Sequence, residues 1–199
     1  MNTLEFLKSK YEFDENQDIV KLPIGRWRNL TYLLKEIGFK KGVEVGVYRG
    51  HYSEALMRVN PKLDLTGVDA WKVYRGYKDY TNPDLENGVY EDALARANHR
   101  GFKLIKAFSM DAVQQFEKES LDFVFIDSNH DFRHVTEDVE EWSKRVRKDG
   151  IVSGHDFFED WHEGYGVREA VTGWCQAYRI KPLFVLDREP CPSWMYIKP

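Results

Sequence analysis

Short apolar runs alternate with amphipathic stretches along the chain, and this alternation is typical of strand–helix–strand units in a parallel sheet. The apolar runs predict strands over 42–47, 63–71, 102–108, 121–127 and 150–157. Residues with helical spacing predict helices over 26–38, from about residue 52, and over 85–101, 109–120, 134–150 and 166–178. This order of elements favours an α/β fold.

The C-terminal part of the chain breaks the alternation. The runs "KPLFVLD" (181–187) and "SWMYIKP" (193–199) both predict strands, and only a short Pro-containing turn joins them, so they should pair antiparallel. We therefore expect a single-domain, doubly wound, Rossmann-like sheet of seven strands, mostly parallel with one antiparallel C-terminal strand and with helices on both faces. Residues 25–199 would form this domain, and residues 1–24 an N-terminal extension.

Composition narrows the class of protein. A chain of 199 residues with 42% hydrophobic residues can bury a substantial core. The net charge of −4 gives no broad attraction for a phosphate backbone, so no nucleic-acid partner is expected. The N-terminus lacks the apolar region of a signal peptide, and no run approaches the ~18 apolar residues of a membrane span. With only two cysteines, the sequence predicts a cytoplasmic protein without a disulfide framework or a membrane partner.

Distinctive residues stand at the carboxyl ends of the predicted parallel strands. Ligands of open α/β sheets bind beyond these ends, at the point where the strand order reverses. The polar and glycine residues at the ends should therefore converge on one crevice: Gly46, Asp69, Ser109, Asp127 and the pair His155–Asp156.

The first of these ends reads Glu44-x-Gly46-x-x-x-Gly50, a turn that lets the backbone approach a ligand closely. Asp69 lies nineteen residues beyond Gly50, where a carboxylate can accept both hydroxyls of a ribose. NAD-binding proteins share such an acid, but the G-x-G-x-x-G pattern of their loop is absent here. An NAD(P)-binding oxidoreductase is thus an alternative with weaker support, and a single adenosine with an amino-acid tail fits the shorter loop better.

Several stretches taken together carry a family resemblance. "VEVGVYRG" (43–50), "GVDAW" (67–71), "AFSMD" (107–111) and the run from "LDFVFIDSNHDF" (121–132) to "VRKDGIVSGHDF" (146–157) occur in this order. They resemble class I S-adenosylmethionine-dependent methyltransferases, and most of all the small-molecule O-methyltransferases of the catechol and sugar-tailoring types. The resemblance covers about residues 25–198.

The resemblance implies positions for the cofactor S-adenosylmethionine. Its methionine end would bind the glycine loop and a hydroxyl that follows the loop, at Glu44, Gly46, Tyr48, Gly50 and either Tyr52 or Ser53. Its ribose would bind Asp69, and the adenine would lie beside Ala70, Trp71, Ser109 and Met110, with Asp127 closing the site. Aromatic segments at 70–84 and 157–165 are candidate lids.

The resemblance also implies catalytic residues. Asp127 begins the active-site loop, and in metal-dependent members it is a ligand of a divalent cation such as Mg²⁺ together with the pair that here reads His155–Asp156. Catechol-type members carry Asp-Asn or Asp-Asp at that pair and a lysine base where this chain has His130. An imidazole with an ordinary pKa of about 6.5 can act as a base near neutrality. Three alternatives stay open: His130 in place of His155 as a ligand, a metal-free reaction using His130 or Asp127, and carboxylates that only cap helices.

The expected reaction is methyl transfer to a small-molecule acceptor, at a hydroxyl, and the sequence permits a homodimer. A nucleic-acid or other N-methyltransferase is the first alternative. DNA amino-methyltransferases carry an (Asp/Asn)-Pro-Pro-aromatic motif after the fourth strand, where this chain reads "DSNH" (127–130). A non-catalytic nucleotide-binding protein is a further alternative, although both Asp127 and His130 are present.

Overall fold

A computed structural model of the chain describes residues 2–74, 83–158 and 165–199. The strands are β1 (Ile19–Leu22), β2 (Lys41–Val45), β3 (Asp64–Asp69), β4 (Lys103–Lys106), β5 (Leu121–Ile126), β6 (Val146–Gly154), β7 (Leu183–Leu186) and β8 (Ser193–Ile197). The α-helices are α1 (Thr3–Lys10), α2 (Thr31–Ile37), α3 (His51–Val59), α4 (Pro83–Arg100), α5 (Ser109–Ala112), α6 (Phe132–Ser143) and α7 (Val167–Ala177). Among the described residues, no helix is both long and apolar enough to span a membrane.

All eight strands form one sheet in the order β1-β7-β8-β6-β5-β2-β3-β4. Every described pair is parallel except those of β8, which runs antiparallel to both β6 and β7. The predicted mostly parallel sheet with an antiparallel C-terminal strand is therefore confirmed. The short connection between β7 and β8 explains the reversal, because a parallel pairing requires a long crossover.

The prediction of seven strands is wrong, because residues assigned to the N-terminal extension add an eighth. β1 pairs in parallel with β7 at the edge of the sheet, in the register Ile19 to Leu183. Only Val20 and Leu22 of this four-residue strand are buried. So short a pattern carries little local signal, and the strand is stabilised by its ladder to β7 and by the burial of these two side chains.

Two predicted helices are too long at their C-terminal ends. The helix expected over 109–120 is α-helical only over Ser109–Ala112, with a 3-10 turn at Val113–Gln115. The pattern at 134–150 predicts a single helix, whereas α6 ends at Ser143 and β6 begins at Val146. Val146 pairs with Leu121 of β5, and an irregularity in the register follows before Phe123 pairs with Ile151. The hydrogen bonds of the neighbouring strand outweigh the helical propensity of the charged residues at 144–149.

The sheet separates two hydrophobic clusters. On one face Val124 and Ile126 of β5 pack with α6 and α7, and on the other Phe123 and Phe125 pack with α2 and α3. β5 is thus buried on both sides, as its apolar sequence predicts. β2 lies between β5 and β3, so the strand order reverses here and a crevice opens beyond the carboxyl ends of β2 and β5.

Candidate active site

The crevice is built on a very close approach of two strand ends. Gly46 follows β2 with φ +89°, and a Cβ atom added to it would lie 1.9 Å from the backbone oxygen of Asp127. The amide of Asp127 in turn donates to the carbonyl of Val45 at 2.7 Å. Only glycine fits this position, because its backbone is left-handed and the carbonyl of Asp127 occupies the space that a side chain would need.

The carboxylate of Asp69 organises the loop after β2. Its Oδ2 accepts the amides of Val47 and Tyr48 at 2.9 Å each, and its Oδ1 accepts the amide of Trp71 at 2.8 Å. Tyr48 has φ +52°, a left-handed conformation that a non-glycine residue adopts at a cost. The indole nitrogen of Trp71 donates to the carbonyl of Tyr48 at 2.8 Å and helps to hold it there.

Two cavities meet at Gly46 and Asp69, which line both of them. The first cavity has a volume of about 300 Å³ and is lined by residues that include Ala70, Tyr74, Phe108, Ser109, Met110 and Asn129. The second has about 440 Å³ and is lined by residues that include Arg26, Trp27, Tyr48, Tyr52, Asp127, His130 and His155. Asp69 therefore stands at the junction of an apolar compartment and a charged one.

A buried acid, Asp138 of α6, lies in the wall of the first cavity. The hydroxyls of Ser109 and Ser128 both donate to its carboxylate, and the indole of Trp142 donates to Ser109 at 2.8 Å. Burial raises the pKa of Asp138 to about 6. The sequence interpretation missed this residue, although a signal exists: Asp138 shares the apolar face of α6 with Val135, Val139 and Trp142.

Acids and histidines gather in and beside the second cavity. One ligand atom from each of Asp127, His130 and Asp156 lies within 4.8 Å of the others. His130 Nε2 is 2.9 Å from Asp156 Oδ2 and 3.6 Å from Asp127 Oδ1. His155 Nδ1 is 3.2 Å from Asp156 Oδ1 and 3.7 Å from Asp127 Oδ1. The structure thus brings together the predicted catalytic and metal-binding residues, and Tyr165 stacks on His130 with ring centroids 4.9 Å apart.

The two carboxylates and two imidazoles shift one another's pKa. Burial alone would lower the pKa of both histidines, but contacts with Asp127 and Asp156 raise it to about 10 for His130 and about 9 for His155. Burial would raise the pKa of both acids, yet the histidines hold it to about 2 for Asp156 and well below the usual range for Asp127. The expectation of an ordinary pKa for His130 is therefore wrong for the metal-free protein, in which this side chain is protonated at neutral pH.

This donor set fits a divalent cation. His130 Nε2 is buried, and among the described residues no acceptor meets it with hydrogen-bond geometry. Two carboxylates and an imidazole suit a transition-metal dication such as Mn²⁺ better than Mg²⁺, which prefers oxygen ligands, and a cation between them would replace the positive charge of the bound proton.

Arg26 is a charged residue of the second cavity that the sequence interpretation missed. It begins a π-helical turn (Arg26–Leu30) before α2, and its Nη1 donates to Asp127 Oδ2 at 2.7 Å. The guanidinium packs on the rings of Trp27, Tyr52 and Phe125, with its carbon 5.0, 5.5 and 5.8 Å from their centroids. No local pattern signals this role, because Arg26 and Asp127 meet only through tertiary packing.

Some of the other predicted cofactor residues line a cavity, and others are buried behind the cavity wall. Gly50, with φ +79°, precedes the first turn of α3, and Tyr52 lines the second cavity. Ser53 is fully buried and donates its hydroxyl to Glu44, which is also buried. Trp71 is fully buried behind the loop and is not among the described residues that line either cavity. The predicted lids lie largely outside the described residues.

Substituting Gly46 should disrupt this loop. Gly46→Ala places a methyl group on the carbonyl of Asp127, so we expect a loss of unfolding free energy on the order of 3 kcal/mol or more. Gly101→Ala is the matched control: Gly101 also has a left-handed backbone, at φ +81°, but no atom lies within 4 Å of its added Cβ. It should cost only about 1 kcal/mol. Urea unfolding measures both, and equal losses would contradict the close approach.

Burial of Glu44 should make stability depend on pH. Desolvation raises its pKa from 4.5 to about 8 against the opposing hydrogen bond from Ser53, so the folded state favours the neutral acid. This contribution is present below about pH 4.5 and is lost as the pH rises through 8. Relative to Glu44→Gln, the wild type should lose stability on the order of 2–4 kcal/mol between pH 5 and pH 9 in urea titrations. A difference that does not change with pH would show that Glu44 is ionised when folded.

Solved structures of low sequence identity share this fold. An O-methyltransferase from Bacillus cereus in complex with SAH is 14% identical, with a TM-score of 0.64 and coverage of 98% of this chain and 89% of that one. The O-methyltransferase TomG from Streptomyces achromogenes, in complex with SAM, is 14% identical, with a TM-score of 0.63 and coverage of 99% and 96%. An O-methyltransferase family protein from Burkholderia thailandensis is 10% identical, with a TM-score of 0.63 and coverage of 87% and 54%.

The chain spans about half the length of the Burkholderia protein and of a matching structure from Nostoc punctiforme. A comparison with curated proteins found no match. A family model described as a methyltransferase domain matches residues 43–157, which include the end of β2, the glycine loop, Asp69, Asp127 and Asp156. Because this match covers more than half of the chain, the protein belongs to the methyltransferase-domain family.

Proposed function

We propose that the protein transfers a methyl group from S-adenosylmethionine to a hydroxyl of a small-molecule acceptor. The observation that carries the proposal is the junction at Gly46 and Asp69, where an apolar cavity and a charged cavity meet beyond the strand ends of a methyltransferase-family chain. One compartment suits a nucleoside, and the other suits the reacting groups. S-adenosylmethionine supplies a methyl group already activated on a sulfonium.

Residues of the first cavity fit the adenosine end of this cofactor. Ala70, Ser109 and Met110 line it, and Phe108 and Tyr74 add aromatic walls. The carboxylate of Asp69, which accepts three loop amides, lines this cavity and is the proposed partner of the ribose hydroxyls. Gly46 lets the ligand lie directly on the backbone between the two cavities.

Residues of the second cavity fit the reacting end. Asp127, His130 and His155 line it beside the glycine loop. Methyl transfer asks the protein mainly to orient the acceptor oxygen and to exclude water. Asp127 and His130 are the proposed catalytic residues, with Asp127 fixed by Arg26 and the imidazole of His130 held against Tyr165.

A divalent cation at Asp127, Asp156 and one of the two histidines is part of this proposal. The resemblance assigns His155 to the ligand set, whereas the geometry favours His130. A bound cation would polarise an acceptor hydroxyl. If His155 is the ligand, the cation would also offset the carboxylate charge that raises the pKa of His130 and leave His130 as the base; if His130 is the ligand, its catalytic role is to hold the cation. A metal-free reaction with a carboxylate as base is the alternative within the same function.

Two O-methyltransferases of the same fold support the proposal. TomG and the Bacillus cereus protein are O-methyltransferases with SAM or SAH bound, and both cover nearly all of this chain. An N-methyltransferase acting on nucleic acid fits the net charge of −4 less well. An NAD(P)-dependent oxidoreductase would need a phosphate-binding loop that the sequence around Gly46 does not provide.

Calorimetric titration with S-adenosylhomocysteine and NADH tests the function. We expect binding of the first and none of the second. Asp69→Ala removes the acceptor of three loop amides and of the ribose, and should weaken S-adenosylhomocysteine at least ~100-fold. Asp64→Ala is the control, because Asp64 lies on the same strand but pairs with Lys103 at the surface. Binding of NADH alone would overturn the proposed function. Unchanged affinity of Asp69→Ala for S-adenosylhomocysteine would show that the ribose does not bind at Asp69.

Titration with Mn²⁺ tests the cation site. The wild type should bind one Mn²⁺, and Asp156→Asn should weaken it at least ~100-fold, since removing even an indirect partner of a metal ligand costs about 10–100-fold. His130→Gln and His155→Gln decide which imidazole is a ligand, and exposed Asp187→Ala should leave binding unchanged. Equal Mn²⁺ affinity in the wild type and Asp156→Asn would refute the site.

A further inference from the structure

The two oxygen atoms of the Asp127 carboxylate have different partners. Oδ2 accepts a hydrogen bond from Arg26 Nη1 at 2.7 Å. Oδ1 faces the imidazoles of the second cavity, 3.6 Å from His130 Nε2 and 3.7 Å from His155 Nδ1. A carboxylate rotates readily about its Cβ–Cγ bond, so a partner on one oxygen fixes the direction of the other. The bond from Arg26 therefore keeps Oδ1 turned toward the imidazoles.

The guanidinium of Arg26 is itself held in one orientation. Its carbon lies 5.0, 5.5 and 5.8 Å from the ring centroids of Trp27, Tyr52 and Phe125. Stacking on these rings orders a long side chain before it meets its partner, so little side-chain entropy is lost when the bond to Asp127 forms. The side chain of Arg26 is only 13% exposed, and solvent therefore screens the pair weakly.

The backbone that carries Arg26 is anchored as well. Arg26 begins the π-helical turn before α2, and the amide of Trp27 donates to Glu189 Oε1, at 3.4 Å, in the connection between β7 and β8. A Cβ atom added to Gly25 would lie 2.2 Å from the same oxygen, so the turn and this connection are in close contact. The amide of Gly25 donates to Asn29 Oδ1 at 3.1 Å. The turn thus presents the guanidinium from a fixed position.

Arg26 has two opposing effects on a cation bound by Asp127. Its hydrogen bond directs the carboxylate toward the place where ligand atoms of Asp127, His130 and Asp156 come together, which favours binding. Its positive charge lies beside the same carboxylate and repels a cation. Removal of the guanidinium separates the two effects, because the loss of orientation weakens cation binding whereas the loss of a like charge strengthens it.

We propose that Arg26 is a positioning residue, which turns Asp127 so that its Oδ1 points to the cation site. This proposal rests on the cation site of the proposed function and adds a residue outside the donor set. A hydrogen-bond partner that orients a metal ligand contributes about 10–100-fold to metal affinity. We expect this gain to exceed the repulsion, because the guanidinium charge is delocalised and the bond is made to the oxygen that faces away from the imidazoles.

Titrations of a double-mutant cycle with Mn²⁺, followed by electron paramagnetic resonance, test the proposal. Arg26→Gln should weaken Mn²⁺ binding about tenfold, because the shorter side chain cannot reach Asp127. In an Asp127→Asn background the same substitution should leave the affinity unchanged or increase it. The guanidinium there holds the only oxygen of the amide, so its removal frees that oxygen and also removes the repulsion.

Two further variants make the result decisive. Arg28→Gln is the matched control, because it removes the same charge from the same turn at an exposed position, and it should leave Mn²⁺ affinity unchanged. Arg26→Lys keeps the charge without the planar fork and should weaken Mn²⁺ about threefold in the wild-type background only. It decides the matter if Arg26→Gln does not fold.

Three outcomes would overturn the positioning role. The first is Mn²⁺ binding by folded Arg26 variants that equals or exceeds that of the wild type. The second is equal weakening in the wild-type and Asp127→Asn backgrounds, which a purely structural role of Arg26 predicts. The third is a wild type that binds no Mn²⁺, which would refute the cation site as well. Failure of methyl transfer is distinguished from all three, because it would appear as a wild type that does not bind S-adenosylhomocysteine.

Discussion

The carboxylate of Asp69 is the contact on which the architecture of the site depends. It gathers the amides of Val47, Tyr48 and Trp71, and so ties the end of β3 to the loop after β2. The loop can then keep Tyr48 in a left-handed conformation and Gly46 against the carbonyl of Asp127. Both cavities open from this point. The hydrogen bonds of Asp69 thus hold a strained loop conformation at the junction where a cofactor and an acceptor would meet.

In the charged half of the site, buried acids and buried basic groups stabilise one another's charges. Asp127 and Asp156 stay ionised in a desolvated place because His130, His155 and Arg26 surround them. The same contacts raise the pKa of the histidines and remove their ability to accept a proton at neutral pH in the metal-free protein. Any cation or ligand that enters therefore changes the protonation of the whole cluster, because each charge is held by the others.

Particular elements show how far sequence reasoning reaches. The runs that form β5 and β8 carry strong apolar signals, and their placement and direction were predictable. β1 was not, because four residues with two buried side chains owe their structure to the neighbouring β7. Asp138 could have been found from its place on the apolar face of α6. Arg26 could not, because its partner Asp127 is 101 residues away in the sequence.

The alternation of strands and helices, the glycine loop and the residues at the strand ends could all be predicted from the amino-acid sequence. These follow from periodicity and from the backbone needs of glycine, which are local properties. Four features emerge only in the folded molecule: the eighth strand, the buried hydrogen bond from Ser53 to Glu44, the raised pKa of both histidines and the contact of Arg26 with Asp127. Each of these arises from groups brought together by folding, whose desolvation and charge no local pattern encodes.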